Sequence, residues 1–165
     1  MKELKTTTIT ALLRGIRPIM FDRYAGDNKT KLPVMEKFYT TPSGCLVIPI
    51  LNVYSLLAAQ NTPSVAKRFY GKQARDVALG VMSFVSIEAV NDDPLNAPIL
   101  DKDGKAYTLQ DSRVEILQHV ARLKDGVPNP KERPMLPTGW QIKLQFNYQE
   151  NTLLSLPCLQ TMVEQ

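Results

Sequence analysis

The sequence predicts an α+β domain with a mainly antiparallel sheet, helices on one face, and long hairpins or loops projecting from it. Three observations carry that reading. Residues 140–148 place Trp140, Ile142, Leu144, Phe146 and Tyr148 on alternate positions against Gln141, Lys143, Gln145 and Asn147, the period of a half-buried strand. The run Leu46-Val47-Ile48-Pro49 ends a strand and opens at once into the apolar stretch 50–60, because Pro49 cannot donate to a sheet ladder but fits a helix start. Gly44 and the Asp103-Gly104 pair mark tight turns between β-rich runs.

Element by element, residues 4–13 are rich in Thr and Ile and read as a first core strand. Residues 14–37 scatter Gly15, Pro18, Gly26 and Pro33 among Arg14, Arg17, Arg23, Lys29, Lys31 and Lys37, which predicts a long basic excursion rather than a packed element. A hairpin across 41–44 leads to a helix over 50–60, with Asn52 as N-cap and Ile50, Val53 and Leu57 on its apolar face. Thr62-Pro63 reads as the cap and first residue of a short helix towards Phe69, which Gly71 breaks. One or two helical turns over 72–79 then give way to a central strand over 80–88.

Asn91-Asp92-Asp93-Pro94 is a turn, and 99–107 a hairpin. Residues 114–123 form a further strand. The stretch at about 125–138, with Pro128, Pro130, Pro134 and Pro137 among Lys131, Glu132 and Arg133, must be an extended loop or an edge. A helix over 151–165 follows the 140–148 strand, with Ser155 as cap and Pro157 in the first turn.

The 165 residues suit one domain with a core that needs neither disulfide nor metal. No apolar run reaches the roughly 20 residues of a membrane span, and a cytoplasmic protein is expected. Cys45 and Cys158 have no nearby Cys or His in sequence and read as buried free thiols; neither metal nor other cofactor is expected. Asp101-Lys102-Asp103-Gly104 opens like a calcium loop but lacks the closing Glu, and reads as a turn. His119 is the only histidine, with no nucleophile in a triad pattern near it, and reads as a structural strand residue.

The formal net charge of +4 points to a polyanionic partner. Lys67, Arg68 and Lys72, followed by Arg75, enclose Phe69 and Tyr70. Arg23 adjoins Tyr24 and Phe21, with Arg14 and Arg17 upstream and Lys29 and Lys31 downstream. Single-stranded nucleic acid needs that pairing, cations for phosphates and flat rings for bases. Tyr24, Phe69 and Tyr70 are the stacking candidates. For the cluster from Lys67 to Arg75 the competing reading is a helix end whose Phe69 enters the core and whose cations merely solvate it. No phosphate-binding glycine loop or dinucleotide fingerprint occurs.

Taken in order, the first strand, Gly15, the basic excursion, Asp27-Asn28, Leu32-Pro33-Val34 and Gly44-Cys45-Leu46-Val47-Ile48-Pro49 before a helix resemble the RAMP superfamily of CRISPR proteins. The likeness is nearest to its Cas7-like backbone subunits and to related phage and prophage proteins. It covers about residues 5–60. It departs from the family at the helix start, where Ile50-Leu51-Asn52-Val53-Tyr54 has neither Gly nor Lys. The resemblance implies a ferredoxin-like, RRM-like sheet, non-enzymatic binding of single-stranded RNA or DNA, and copies assembled head to tail as a homo-oligomer or filament. It also implies a cleaving Asp at about Asp27 where the family cuts RNA, and Asp22 lies close by; both read otherwise as solvated loop carboxylates. A different class of function, a phage or defence-related inhibitor or assembly factor meeting an acidic protein partner, fits the same basic charge. A nuclease using His119 or Asp27 is the third reading.

Overall fold

The alternation over 140–148 becomes the middle strand of a sheet. In this computed structural model, which describes residues 5–27, 29–122, 126 and 128–164, the elements run as follows. Strand β1 (Thr6–Arg14) and the short β2 (Ile19–Met20) precede a 3-10 turn at Val34–Lys37; β3 (Tyr39–Thr40) and β4 (Leu46–Pro49) precede α1 (Ile50–Ala58) and α2 (Val65–Tyr70). A 3-10 turn, Gly71–Gln73, leads to α3 (Ala74–Phe84), β5 (Val85–Ala89) and β6 (Asn96–Pro98). Then come β7 (Glu115–Arg122), β8 (Pro128–Leu136), β9 (Gln141–Gln149) and α4 (Leu156–Glu164). Leu4, Asn28, Leu123, Asp125, Val127 and Gln165, which the expected elements or motifs included, lie outside the described residues.

The chain is mixed α and β, with three small antiparallel sheets, and it divides into two compact units. One unit comprises 1–13, 48–97 and 143–165, the other 14–47 and 98–142.

In the first unit the sheet order is β1-β9-β5. Ile142, Leu144, Phe146 and Tyr148 of β9 are all buried, as their spacing predicts. β5 pairs antiparallel with β9, Ile87 opposite Phe146. The strand expected at 80–88 is corrected: α3 continues to Phe84, and only 85–89 is strand, at the edge of its sheet rather than its centre. Ala74, Val77, Ala78 and Val81 carry the helical spacing through Gly80, so the period of 3.6 wins over the shorter alternation inside it. β1, expected in the core, is an edge strand with no buried residue.

The caps differ from expectation. α1 starts at Ile50 directly after Pro49, with Asn52 inside the helix, and the Ile50 N–H donates to the Leu95 carbonyl at 2.9 Å. That backbone acceptor satisfies one donor that a capping side chain would otherwise take. α2 is capped by Ser64, whose Oγ accepts from the Lys67 N–H, not by Thr62. Gly71 ends α2 with a positive φ of 51°. The Ser155 cap of α4 holds, its Oγ accepting from the Cys158 N–H at 3.3 Å. Tyr54 of α1 hydrogen-bonds the outer edge of β5, donating to the Val85 carbonyl at 2.8 Å and accepting from the Ile87 N–H at 3.0 Å.

In the second unit the core gathers Phe21, Phe38, Leu46, Val47, Ile99, Tyr107 and Leu136. The rings of Phe21 and Phe38 meet at 4.7 Å between centroids, tilted by 53°. The basic excursion is therefore anchored: Phe21 is buried, and β2 and the 3-10 turn are ordered elements within it. The 41–44 hairpin forms as expected, β3 pairing with β4.

The segment expected as a Pro-rich loop is strand β8, and it lies between β2 and β7. Its register explains how. β8 pairs with β7 so that Pro128, Pro130 and Pro134 oppose Arg122, Val120 and Ile116. The Pro134 carbonyl accepts from the Phe21 N–H and the Glu132 carbonyl from Lys37, so even-numbered residues of β8 turn their backbone groups away from β7. All three prolines sit on that parity. The missing donors cost the β7 ladder nothing.

The 99–107 hairpin closes at Gly104, whose φ is 83°. Asp101, 5% exposed, accepts from the Asp103 and Lys105 N–H groups, both at 2.9 Å. Arg113 clasps this turn. Its guanidinium donates twice to Asp111, at 2.9 and 2.7 Å, and once to Asp101 at 2.9 Å, and it stacks 4.3 Å from the Tyr107 ring centroid. The hydrogen bond from Arg113 holds the Asp111 carboxyl down at about 2, against the opposing effect of burial. A carboxylate with a lowered folded pKa stabilises fully above its unfolded value near 4 and loses that contribution as pH falls through 2. Wild-type melting temperature should therefore drop more steeply than that of Asp111→Asn between about pH 4 and 2. Parallel curves would show that the clasp does not couple to folding.

Candidate nucleic-acid interface

The second unit holds an open cleft of about 750 Å³ between the basic excursion and β8, with Asp22, Arg23, Tyr24, Lys31, Lys37 and Lys131 in its wall. Why these side chains converge follows from the strands. β2 pairs with β8 at Ile19↔Leu136 and Met20↔Met135, which brings the next residues, 21–24, alongside 131–134. The buried Phe21 pins that approach and turns Asp22 outward.

Asp22 is the electrostatic hub. Its carboxylate lies 3.0 Å from Arg133 Nε, 3.5 Å from Lys37 Nζ and 3.7 Å from Lys131 Nζ. Burial acts to raise its pKa, but the hydrogen bond from Arg133 and the charges of Lys37, Arg133 and Lys131 outweigh it and hold the group below its usual value. Three cations share one carboxylate, so the cluster keeps a positive surplus. Tyr24 stands beside it 63% exposed, with Arg23 and Lys31 exposed in the same wall.

Asp27 lines the cleft but is occupied by its own loop. It accepts from the Lys29 N–H and the Thr30 N–H, both at 2.6 Å, and from Thr30 Oγ1 at 2.7 Å. Those bonds, Thr30's side chain first, lower its pKa. This is an Asx turn that shapes the loop.

Of the first predicted cluster, Arg23, Tyr24 and Lys31 therefore line one cleft. Lys29 is exposed on the adjoining loop. Arg14 is exposed at the end of β1, and Arg17 in the following bend, where its carbonyl accepts from Trp140 Nε1 at 2.9 Å. The second cluster belongs to the first unit. Lys67, Arg68 and Phe69 are exposed on α2, and Lys72 and Arg75 are exposed beyond it. Phe69 is 56% exposed, so it does not enter the core. Tyr70 is half-buried, its hydroxyl donating to the Cys158 carbonyl at 3.4 Å, and burial together with Cys158 pushes its pKa up to about 12.

Sequence reasoning missed Lys131 and Arg133 as site residues. They lie two apart on β8, on the parity opposite the prolines, and reading the stretch as a loop concealed that both belong to one strand. His119 is exposed on β7, opposite Lys131 in register. Among the described residues no group of three or more His, Cys, Asp or Glu side chains is placed to hold a metal. Asp101, the calcium-loop candidate, is committed to its turn and to Arg113. Both cysteines are free and half-buried rather than fully buried. No helix among the described residues is long and apolar enough to cross a membrane. No protein-family model matches the chain, and no curated protein matches it.

Proposed function

We propose that the chain binds single-stranded nucleic acid, RNA or DNA, without cleaving it, through the cleft of the second unit. The observation that carries this reading is the shared carboxylate: Arg133, Lys37 and Lys131 gather on Asp22 beside the exposed ring of Tyr24. Cations collected at one wall track a phosphate backbone, and an exposed tyrosine offers a face for a base. Arg23, Lys29 and Lys31 extend the cationic wall, and Lys67, Arg68, Phe69, Lys72 and Arg75 supply a second surface of the same chemistry. A Cas7-like place among RAMP proteins, with a ferredoxin-like sheet carrying its helices on one face and a phage or CRISPR setting, belongs to this proposal. The commitment of Asp27 to its turn favours binding over cleavage.

Fluorescence anisotropy with labelled single-stranded RNA, single-stranded DNA and duplex DNA across a salt series tests it. The expected result is binding of a single strand whose log affinity falls linearly with log salt. Lys131→Ala with Arg133→Ala should weaken it and reduce the slope by about 1 to 2. Asp22→Asn should do the reverse: with the carboxylate that the three cations share neutralised, they are freer to meet phosphates, and affinity should rise by roughly 3- to 10-fold. A nuclease that used Asp22 would instead lose product formation in that variant. Flat curves at low salt, or tighter binding to the duplex, would sink the proposal.

A further inference from the structure

We propose that the free edge of β7 is a self-association surface, at which β7 of a second copy pairs antiparallel about Gln118 and joins two β2-β8-β7 sheets into one. The inference does not depend on the cleft or its ligand.

β7 is the outer strand of its sheet and is exposed on both faces over Glu115–Val120. It nevertheless carries apolar side chains: Ile116 is 53% exposed, Val120 58% and Leu117 36%. A long apolar edge of this kind is what monomeric proteins avoid, because its unpaired N–H and C=O groups template another strand. The two edge strands of the β1-β9-β5 sheet are handled differently. The outer edge of β5 is occupied by the Tyr54 hydroxyl, and β1 exposes mostly threonines. β7 has neither device among the described residues.

The backbone sets the parity that a partner strand must meet, and the side-chain pattern of β7 matches a second β7. Odd-numbered residues of β8 face β7, so in the pairs Leu117↔Arg133 and His119↔Lys131 the odd-numbered residues of β7 spend their backbone groups inward. Ile116, Gln118 and Val120 therefore direct theirs to the free edge. An antiparallel partner strand must meet them with outward-facing residues of its own. When that partner is a second β7 centred on Gln118, each Ile116 meets a Val120, each Gln118 meets its own counterpart, and each Leu117 meets a His119. On the face that carries Ile116, Gln118 and Val120, apolar side chains fall on apolar ones and amide on amide, and the two Glu115 carboxylates lie at opposite ends. A shift by one residue is forbidden, since it would set outward groups against inward ones. Unlike the head-to-tail filament that the RAMP likeness implies, this contact is two-fold and closes at a dimer.

Two strand edges alone make a small interface, so association should depend on concentration. Sedimentation velocity over a roughly hundred-fold concentration range should show a monomer–dimer equilibrium in the wild type. Ile116→Lys with Val120→Lys should leave a monomer whose melting temperature and circular dichroism match the wild type, because both positions are exposed. A second measurement keeps the register testable even if that variant fails to fold. Gln118→Cys places two thiols opposite one another at a backbone-paired position, about 5.5 Å between Cα atoms, within reach of a disulfide. It should cross-link on mild oxidation well beyond the wild type, whereas Ile116→Cys should not. A monomer at every concentration, a dimer untouched by the folded double variant, or cross-linking as strong at 116 as at 118 would overturn the proposal.

Discussion

Gly80→Ala is expected to destabilise the protein by about 2 kcal/mol, although alanine is favoured over glycine in a helix interior by about 1 kcal/mol. Gly80 lies within α3 and is buried. A Cβ built there would stand 2.5 Å from the Leu154 Cβ and 3.2 Å from the Leu154 backbone nitrogen. Leu154 cannot step aside cheaply. It is 1% exposed, its carbonyl accepts from the Tyr148 hydroxyl at 2.7 Å, and its N–H donates to Asn151 Oδ1 at 2.8 Å. Retreat would break one of those bonds or open the packing around them. A loss of this size should lower the melting temperature by about 4–8 °C for a chain this long. The control is Ser83→Ala, an exposed site on the same helix, which should be neutral or slightly stabilising. If Gly80→Ala follows the same sign as Ser83→Ala, the close approach of α3 to residues 153–154 does not exist in solution.

The second large effect is at Gly15. Here a Cβ would fall 2.1 Å from Cε2 and Nε1 of Trp140, inside the indole itself. The backbone holds the two residues together: the Gly15 N–H donates to the Trp140 carbonyl at 2.7 Å, and the Gly139 N–H donates to the Gly15 carbonyl at 2.9 Å. Gly15→Ala must therefore swing the ring off the strand and break its bond to the Arg17 carbonyl. A cost of about 2 kcal/mol combines overpacking with the lost hydrogen bond. Trp140 is the sole tryptophan, so its emission reports the event directly. The expected result is a red-shifted, more quenchable emission alongside a lower melting temperature. An unchanged spectrum would mean that the ring does not rest on Gly15.

These two contacts also mark where the sequence stops being legible. The helix and strand periods at 50–58, 141–149 and 156–164 were plain because each is a clean amphipathic repeat whose buried side the structure then uses. The turns at Gly44 and Gly104 were plain because only glycine tolerates their positive φ cheaply. Residues 80–84 misled, since a five-residue alternation fits inside a helix whose true face is set by Ala74, Val77 and Ala78 upstream. The prolines of β8 misled for a different reason. Three missing donors argue against a strand unless their parity turns them away from the long partner strand, and parity is set by a register that local sequence does not encode. The same blindness hid half of the cleft. Arg23, Tyr24 and Lys31 were visible as cations beside a ring, whereas Lys131 joins them in the wall, and Arg133 reaches its Asp22, only through the β2–β8 pairing, about a hundred residues away in sequence. The Arg113 clasp was invisible for the same cause, because nothing in Asp101, Tyr107 or Asp111 singly announces a shared partner.

The order β1-β9-β5 has a consequence for how the protein is made. The chain passes between its two units after Leu13, Val47, Ala97 and Ile142, and β9, the strand that joins β1 to β5, comes after both of them in sequence. At the usual pace of translation, on the order of ten seconds separates the emergence of β1 from that of its only sheet neighbour. Until β9 emerges, β1 and then β5 lack their partner strand, while the second unit's segments 14–47 and 98–142 are synthesised before it. Vectorial folding of the first unit strand by strand is thus closed to this protein: its sheet cannot form until β9 has emerged from the exit tunnel.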